Sequence, residues 1–514
     1  MQAGRAPDQR PLAEREAAPA AAAPKRGTAV IAWHGMGQQR PLETVETVAR
    51  GLANEFAAQT GTAPATVTGR LVKLGGQTLW RAEMTLRAPA ETSAPEGGEA
   101  PPAFEREVHV YEAYWAAHTQ GVITLKETTL FLFSAAVAAL RWAILPPRVL
   151  YRYLFQQWIG FPMKSGLALL YLVLFLAFLS LLLVNFVLTL TVSLKLIGVG
   201  GTSSGWPSTA LLNDLTVDLS GLAAAFGTTG LAFFWTYRRE IPNQREARTS
   251  TPHPALGLIL WGLLGLSLVV TLLTGALILY HLFVHTWLPP RPPMIDFSSS
   301  LPLLVLAGVI WALTIGGSAA VRWFLLEFVG DAAIYVSSHK LNRFFETRQK
   351  IKTSSLDVAC AIYEHGNYER HVLMGHSLGS VIAYDTLNRL IVDDIVGGGT
   401  LQVLPRTSLL VTFGSILDKT AFIFRTQSIF NDVREALIAA GLPLISDYQQ
   451  RPPWINIHSP HDPLSGPLDY YDLPDGQALR PIVNVTDEHA WIPLAAHVQY
   501  WSNRTLLLTV LKNV

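Results

Sequence analysis

Apolar positions fall in two distinct patterns along the chain. At both ends they come in short runs, bounded by Gly, Pro and polar turns. In the middle they come in long runs almost free of charge. Among the short runs, Thr28–Trp33 (T-A-V-I-A-W) reads as a buried strand running into His34-Gly35-Met36-Gly37, with a helix following over about Leu42–Ala58. Val67–Gly75, Thr78–Arg87 and Glu107–Trp115 carry β-type alternation or enrichment, and the Pro/Gly/Glu/Ala-rich stretch Ala88–Ala103 reads as a loop. Late in the chain, Val329–Val336 reads as a strand or loop and Leu341–His365 as helical. Val372–Met374 ends a buried strand, and Ser380–Leu390 has helical spacing. Ser408–Phe413, Trp454–Ile457 and Ile482–Val485 read as further strands, with a final helix over Thr505–Lys512. Strands alternating with helices predict an α/β fold with a largely parallel sheet.

The middle runs predict an all-α membrane insertion into that sheet. Gly166–Leu194 would make about 44 Å of helix at 1.5 Å per residue, more than the roughly 30 Å hydrocarbon core. Leu219–Trp235, Ala255–Phe283 and Leu301–Val321 are further candidate spans. Thr128–Ile144 is also apolar, but Arg141 lies inside it and Pro146-Pro147 ends it, so it reads as interfacial or re-entrant. The expected organisation is a disordered tail over 1–27, an N-terminal α/β part over 28–126, a four-helix insertion over 127–325, and a C-terminal α/β part over 326–514. The tail lacks the apolar core of a secretory signal. If both α/β parts share one sheet, the number of crossings must be even. Charge agrees with four. Arg141, Arg148, Arg152, Lys164, Arg238, Arg239, Arg245, Arg248 and Arg322 lie on one side, and only Lys195 and Arg291 on the other. By the positive-inside rule, the α/β parts and both termini are expected in the cytoplasm, as in a multi-pass inner-membrane protein.

Composition narrows the function classes. Half the residues are apolar and only 15% are charged, against about 25% in ordinary soluble domains. A net charge of +1 gives no bulk attraction to nucleic acid. The single cysteine, Cys360, cannot form an internal disulfide. Histidines do not fall in metal-ligand spacing, and no phosphate-cradling glycine loop is present, so neither metal nor cofactor is expected.

The candidate chemistry sits at Gly375-His376-Ser377-Leu378-Gly379. A strand precedes this pentapeptide and a helix follows it. That is the G-x-S-x-G pattern, in which small residues flank a sharp turn and lift a serine above a sheet. Serine is a weak nucleophile and needs a base, and the base needs an orienting acid. In the order Ser, acid, His, the acid should end a later strand. Asp462, in the turn after Trp454–Ile457, fits, with Asp418 in reserve. His497, in A-A-H-V-Q-Y-W, is the favoured base, with His489 in reserve. His458 and His461 are read as orienting the acid loop, and His376 as shaping the turn. The N–H groups of Leu378 and Met36 (alternatively Gly35) would form an oxyanion hole, with the second supplied by the H-G-M-G loop.

These motifs resemble the lipases and esterases of the α/β-hydrolase superfamily over about Thr28–Ala58 and Val329–Val514. V-G-D-A-A-I-Y-V, the elbow, N-I-H-S-P-H-D-P and A-H-V-Q-Y-W are also similar to intracellular phospholipases of the DDHD type. The resemblance implies a Ser377–His497–Asp462 triad acting on an acyl ester through an acyl-enzyme, with a membrane lipid as the expected substrate. A thioesterase or peptidase could use the same triad. A membrane transport or assembly protein carrying a hydrolase-like binding domain is the alternative from a different class. Intramembrane ionisable residues would mark that alternative.

Overall fold

The computed structural model describes residues 27–36, 40–88, 104–119, 126–128, 130, 133, 165–196, 209–245, 249–287, 295–324, 330–336, 342–420, 442–446, 451–468, 471 and 481–514. The expected tail up to residue 26, Gly37, most of the interfacial segment 128–144 and Arg141, Arg148, Arg152, Lys164, Arg248 and Arg291 lie outside the described residues.

Eight strands form one sheet: β1 (Thr28–Trp33), β2 (Thr68–Leu74), β3 (Gln77–Ala88), β4 (Phe104–Glu112), β5 (Arg370–His376), β6 (Thr407–Phe413), β7 (Trp454–His458) and β8 (Val483–Thr486). The order is β2-β3-β4-β1-β5-β6-β7-β8. From β4 to β8 every neighbour pair is parallel, while β2–β3 and β3–β4 are antiparallel. The sheet is therefore mixed, with a parallel majority. β1 is buried along its whole length. Its alternation sends Ala29, Ile31 and Trp33 into one core and Val30 and Ala32 into the other, as the period of two requires.

The join between the two halves of the chain lies at β1 and β5, paired in register from Thr28↔Arg370 to Trp33↔Gly375. Between β4 and β5 in sequence comes the helical insertion. α1 (Glu43–Thr60) packs on the sheet. It is followed in the chain by α2 (Ser165–Leu196), α3 (Thr209–Arg245), α4 (Pro254–Trp287) and α5 (Leu301–Phe324). Residues of α2 through α5 share one apolar cluster that includes Val184, Leu188, Leu215, Leu222, Ile278 and Ile310. Polar groups inside it are paired across helices. Ser318 Oγ donates to Asn185 Oδ1 at 3.0 Å, and Thr229 and Ser267 hydroxyls meet at 2.7 Å. The outer face is apolar as well, with Leu231, Leu258 and Leu301 at least 70% exposed. A helix apolar on both faces suits lipid rather than water.

Among the described residues, three helical stretches are long and apolar enough to cross a membrane: Ala210–Glu240, Pro254–Val284 and Leu301–Trp323. The expected first span folds as α2, whose described apolar stretch, Leu176–Thr191, is shorter. The expected second span, 219–235, is too short. α3 continues through Asp214 and Asp218, residues that an uncharged-run criterion treats as a boundary. The helix accommodates them because His281 of α4 faces both carboxylates, at 3.7 and 3.5 Å.

After the insertion come α6 (Gly330–Val336) and α7 (Asn342–His365). Val329–Val336 was expected as strand or loop. Its contiguous buried Ala333, Ile334 and Tyr335 fit a buried strand or a short buried helix alike, and the segment is helical. Asp331 in the first turn of α6 complements the helix dipole. α8 (Leu378–Val396) follows β5 with Ser377 alone between them, and α9 (Arg504–Leu511) is the last helix described.

Candidate active site

The site is built on the junction of β5 and α8. Ser377 has φ 53° and ψ −122°, a conformation that non-glycine residues adopt only where surroundings enforce it. Here the enforcement is visible. The Ser377 N–H donates to the Phe413 carbonyl at the end of β6, at 3.1 Å. Its carbonyl accepts the Ser380 hydroxyl at 2.5 Å. A Cβ on Gly375 would stand 2.6 Å from Ser380 Cα, and one on Gly379 would run into the Trp33 and His34 carbonyls. Gly379 therefore lets the first turn of α8 lie against the end of β1.

His497 occupies a short helix, Ala496–Gln499, after the turn made by Leu494 at φ 64°. The Ser377 hydroxyl lies 2.7 Å from His497 Nε2, and His497 Nδ1 lies 2.9 Å from Asp462 Oδ2. With the ionised carboxylate accepting from Nδ1–H, Nε2 is left to accept the serine proton. Asp462 sits in the turn after β7. It also accepts the Tyr500 hydroxyl at 3.0 Å on Oδ2 and the Leu464 N–H at 3.0 Å on Oδ1. Burial alone would push its carboxyl up. The His497 charge and the hydrogen bonds from His497, Leu464 and Ser465 outweigh burial and bring it down to about 2. Burial and then the Asp462 charge push the Tyr500 phenol up, so it remains a donor. Ser377 is fully enclosed and His497 is 4% exposed.

Other candidates lie in distinct places. The His376 Nε2–H donates to the His497 carbonyl at 2.5 Å. Burial, then the His497 charge, brings its imidazole down to about 3, so it is neutral. The H-G-M loop lies against the elbow: a Cβ on Gly35 would sit 2.5 Å from His376 Nδ1 and 3.0 Å from Ser377 Cβ. Met36 is buried beside it. Leu378 is the first residue of α8, so its N–H belongs to the unpaired N-terminal set of that helix. The two reserve residues stand apart from Ser377. Asp418 is half-buried with its carboxylate accepting from Lys419 Nζ at 2.6 Å, and desolvation pushes its carboxyl up. His489 Nδ1 faces the Ser250 carbonyl at 2.8 Å. The His461 ring, at the acid loop, accepts the Trp261 indole N–H of α4 at 3.1 Å.

Two supporting residues escaped the sequence reading. Tyr500 is three residues after His497, the spacing that puts two helical side chains on one face. That signal was available inside A-H-V-Q-Y-W. Trp115 holds the first residue of the glycine loop. Its backbone N–H donates to His34 Nε2 at 3.3 Å, its indole N–H donates to the His34 carbonyl at 3.0 Å, and the rings stack at 4.9 Å. His34 Nδ1–H donates to the Gly35 carbonyl at 2.9 Å. Burial takes this imidazole down to about 4. Only the β1–β4 register reveals the Trp115 contact, and sequence spacing does not carry that register.

Among the described residues, no group of three or more His, Cys, Asp or Glu side chains could hold a metal ion. No family model, no curated protein and no solved structure matches the chain. A buried serine hydroxyl, an imidazole and a carboxylate in hydrogen-bonded series can move one proton away from the serine oxygen as it attacks an electrophile.

Proposed function

We propose that the protein is a membrane-embedded serine hydrolase of α/β-hydrolase type that cleaves an acyl ester of a membrane lipid. The observation that carries it is the Ser377–His497–Asp462 series at 2.7 and 2.9 Å, with the serine at a strained strand-to-helix turn. Ser377 Oγ attacks the ester carbon while His497 Nε2 takes its proton. Asp462, fixed by Tyr500 and Leu464, steadies the imidazolium. The tetrahedral oxyanion is held by the Leu378 and Met36 N–H groups. His497 returns the proton to the leaving alcohol, and a water then releases the acyl group by the same steps in reverse. A thioester would be cleaved identically at this centre.

The lipid preference rests on a contact. Trp261 and Gly257, in the first two turns of α4, touch His461, the residue before Asp462. With α4 crossing a bilayer, the acid loop lies at headgroup depth, where ester groups are concentrated. Crossing number is constrained too. β1 and β5 share a sheet, so an even number of helices would cross between them, and α2 would join the three long apolar stretches as the fourth. The arginines near the α3–α4 connection then favour a cytoplasmic sheet. The similarity of motifs to DDHD-type phospholipases agrees with a glycerophospholipid ester.

The rival reading, a transport or assembly module, gains one observation: Asp214, Asp218 and His281 inside the bundle. Their position argues against it. Asp218 precedes Glu240 by roughly 22 residues, or about 33 Å of helix, which is the full hydrocarbon thickness. With Glu240 at one interface, the cluster belongs at the other, not at midplane.

Two measurements test the reading. A fluorophosphonate should label the purified protein at Ser377 and not label Ser377→Ala. Vesicles of phosphatidylcholine or phosphatidylglycerol should release free fatty acid with the wild type only. A folded wild type that neither labels nor releases acid overturns the proposal.

A further inference from the structure

Ser250, in the connection between α3 and α4, is tied to the segment that carries His497. Its hydroxyl uses all three of its hydrogen-bonding capacities. It donates to Glu240 Oε2 at 2.7 Å, accepts the Trp491 indole N–H at 3.1 Å, and accepts Gln499 Nε2–H at 3.2 Å. Its carbonyl faces His489 Nδ1 at 2.8 Å, and its N–H reaches Asn503 Oδ1 at 3.5 Å. Four of these five partners lie between residues 489 and 503, and the fifth, Glu240, belongs to the insertion. Ser250 and Glu240 are both buried, so the bonds are not competed away by water.

The bonds also lead onward to the base. Gln499 is two residues after His497 in the same short helix, and its Oε1 accepts the Ile492 N–H at 3.0 Å. One amide thus bridges the start of the loop, the helix bearing His497 and the insertion. The acid side is gripped separately. Trp261 of α4 donates to His461, and His461 O accepts the Leu494 N–H at 3.2 Å. Around these polar ties, Leu260 packs with Trp491 and Ile492, and the His253 ring stands edge-on to Trp491 at 5.3 Å.

We infer that the α3–α4 hairpin is a positioning element for the general base: Ser250, Glu240 and Trp261 set the His497 and Asp462 loops, so the catalytic geometry is completed by the insertion and not by the sheet alone. The inference rests on the serine-hydrolase reading. A loop held only from the sheet side would be free to pivot about the His376–His497 bond. Misplacement of a catalytic group by about 1 Å costs on the order of a hundredfold in rate.

The test uses the full-length protein in lipid nanodiscs. The second-order rate of fluorophosphonate labelling is measured from pH 5 to 9 for wild type, Ser250→Ala, Glu240→Gln and Trp261→Phe, with thermal unfolding of each. The expected result, in variants that remain folded, is a labelling rate about ten- to a hundredfold lower and a displaced pH midpoint for labelling. Trp261→Phe keeps an aromatic side chain while removing the indole donor to His461, so it remains informative if Ser250→Ala does not fold. Folded variants that label at the wild-type rate with the wild-type midpoint overturn the inference and leave the hydrolase reading standing, as do variants with lowered melting and unchanged labelling. A folded wild type that does not label defeats both together.

Discussion

His376 Nε2–H donates to the backbone carbonyl of His497 across 2.5 Å. The residue before the candidate nucleophile therefore holds the main chain of the candidate base. Replacing it by alanine leaves a buried carbonyl without that donor, at a cost of about 1–3 kcal/mol. His376→Ala should lower both the unfolding midpoint and fluorophosphonate labelling, the latter by about tenfold or more. His376→Gln, which keeps an N–H donor, should recover part of the rate. Unchanged labelling in a folded His376→Ala protein would show that the bond is dispensable.

Acid stability should report the two buried neutral imidazoles beside the site. His34 and His376 are brought down to about 4 and about 3 by burial, against about 6.5 in the unfolded chain. Below pH 6.5 the unfolded state takes up protons that the folded state refuses, so stability falls as pH falls. The slope is about 1.4 kcal/mol per pH unit for each histidine, ending near pH 4 for His34 and near pH 3 for His376. Asp462, depressed to about 2, adds a loss only from about pH 4 downward. Denaturant midpoints measured from pH 7 to 4 should show this slope, and a His34→Gln, His376→Gln double variant should flatten it. An equally steep profile in the double variant would count against it.

The acid can be dissected without disturbing the fold. Asp462→Asn keeps the shape but favours the wrong imidazole tautomer, a change worth about 10⁴ in kcat in a comparable triad. Tyr500→Phe removes one donor to the carboxylate and should cost about tenfold in kcat with little change in KM. Steady-state hydrolysis of a soluble ester measures both. A Tyr500 effect confined to KM would assign the residue to substrate binding instead.

Gly379→Ala should be among the most damaging single-methyl changes in the chain. The added carbon meets the Trp33 and His34 carbonyls, which are backbone and cannot rotate away. The expected loss exceeds the 1–3 kcal/mol typical of overpacking. It should show as poor yield or a sharply lowered melting temperature. Gly76→Ala, at a turn with open space around it, is the comparison: its φ of +86° makes it costly too, but by backbone strain of only about 1–3 kcal/mol. Equal stability losses at both sites would sink the steric account.

Much of this site was legible from residue order. G-H-S-L-G with a strand before and a helix after pointed to Ser377, and strand-end placement pointed to Asp462, because local pattern fixes both. His497 was separable from His489 only through its place before the final helix, whereas His489 sits in the polar T-D-E-H loop. What sequence did not reveal depends on tertiary register. Trp115 reaches His34 because β4 lies beside β1, and Ser250 reaches Gln499 because a hairpin folds back on the sheet. The extent of α3 was misjudged for a related reason. Asp214 and Asp218 look like an ending until His281, more than sixty residues later, is seen opposite them.

The pairing of β1 with β5 also sets a schedule. During synthesis, roughly 340 residues emerge between these two neighbours, which at about 5–20 residues per second takes about 20–70 s. For that interval β1, an apolar strand buried along its whole length in the folded protein, has a bare edge while the helical segments are being made. Such an edge invites pairing with other chains. A nascent chain stalled before Arg370 is thus the form of this protein most prone to aggregate, and the one with most need of a chaperone.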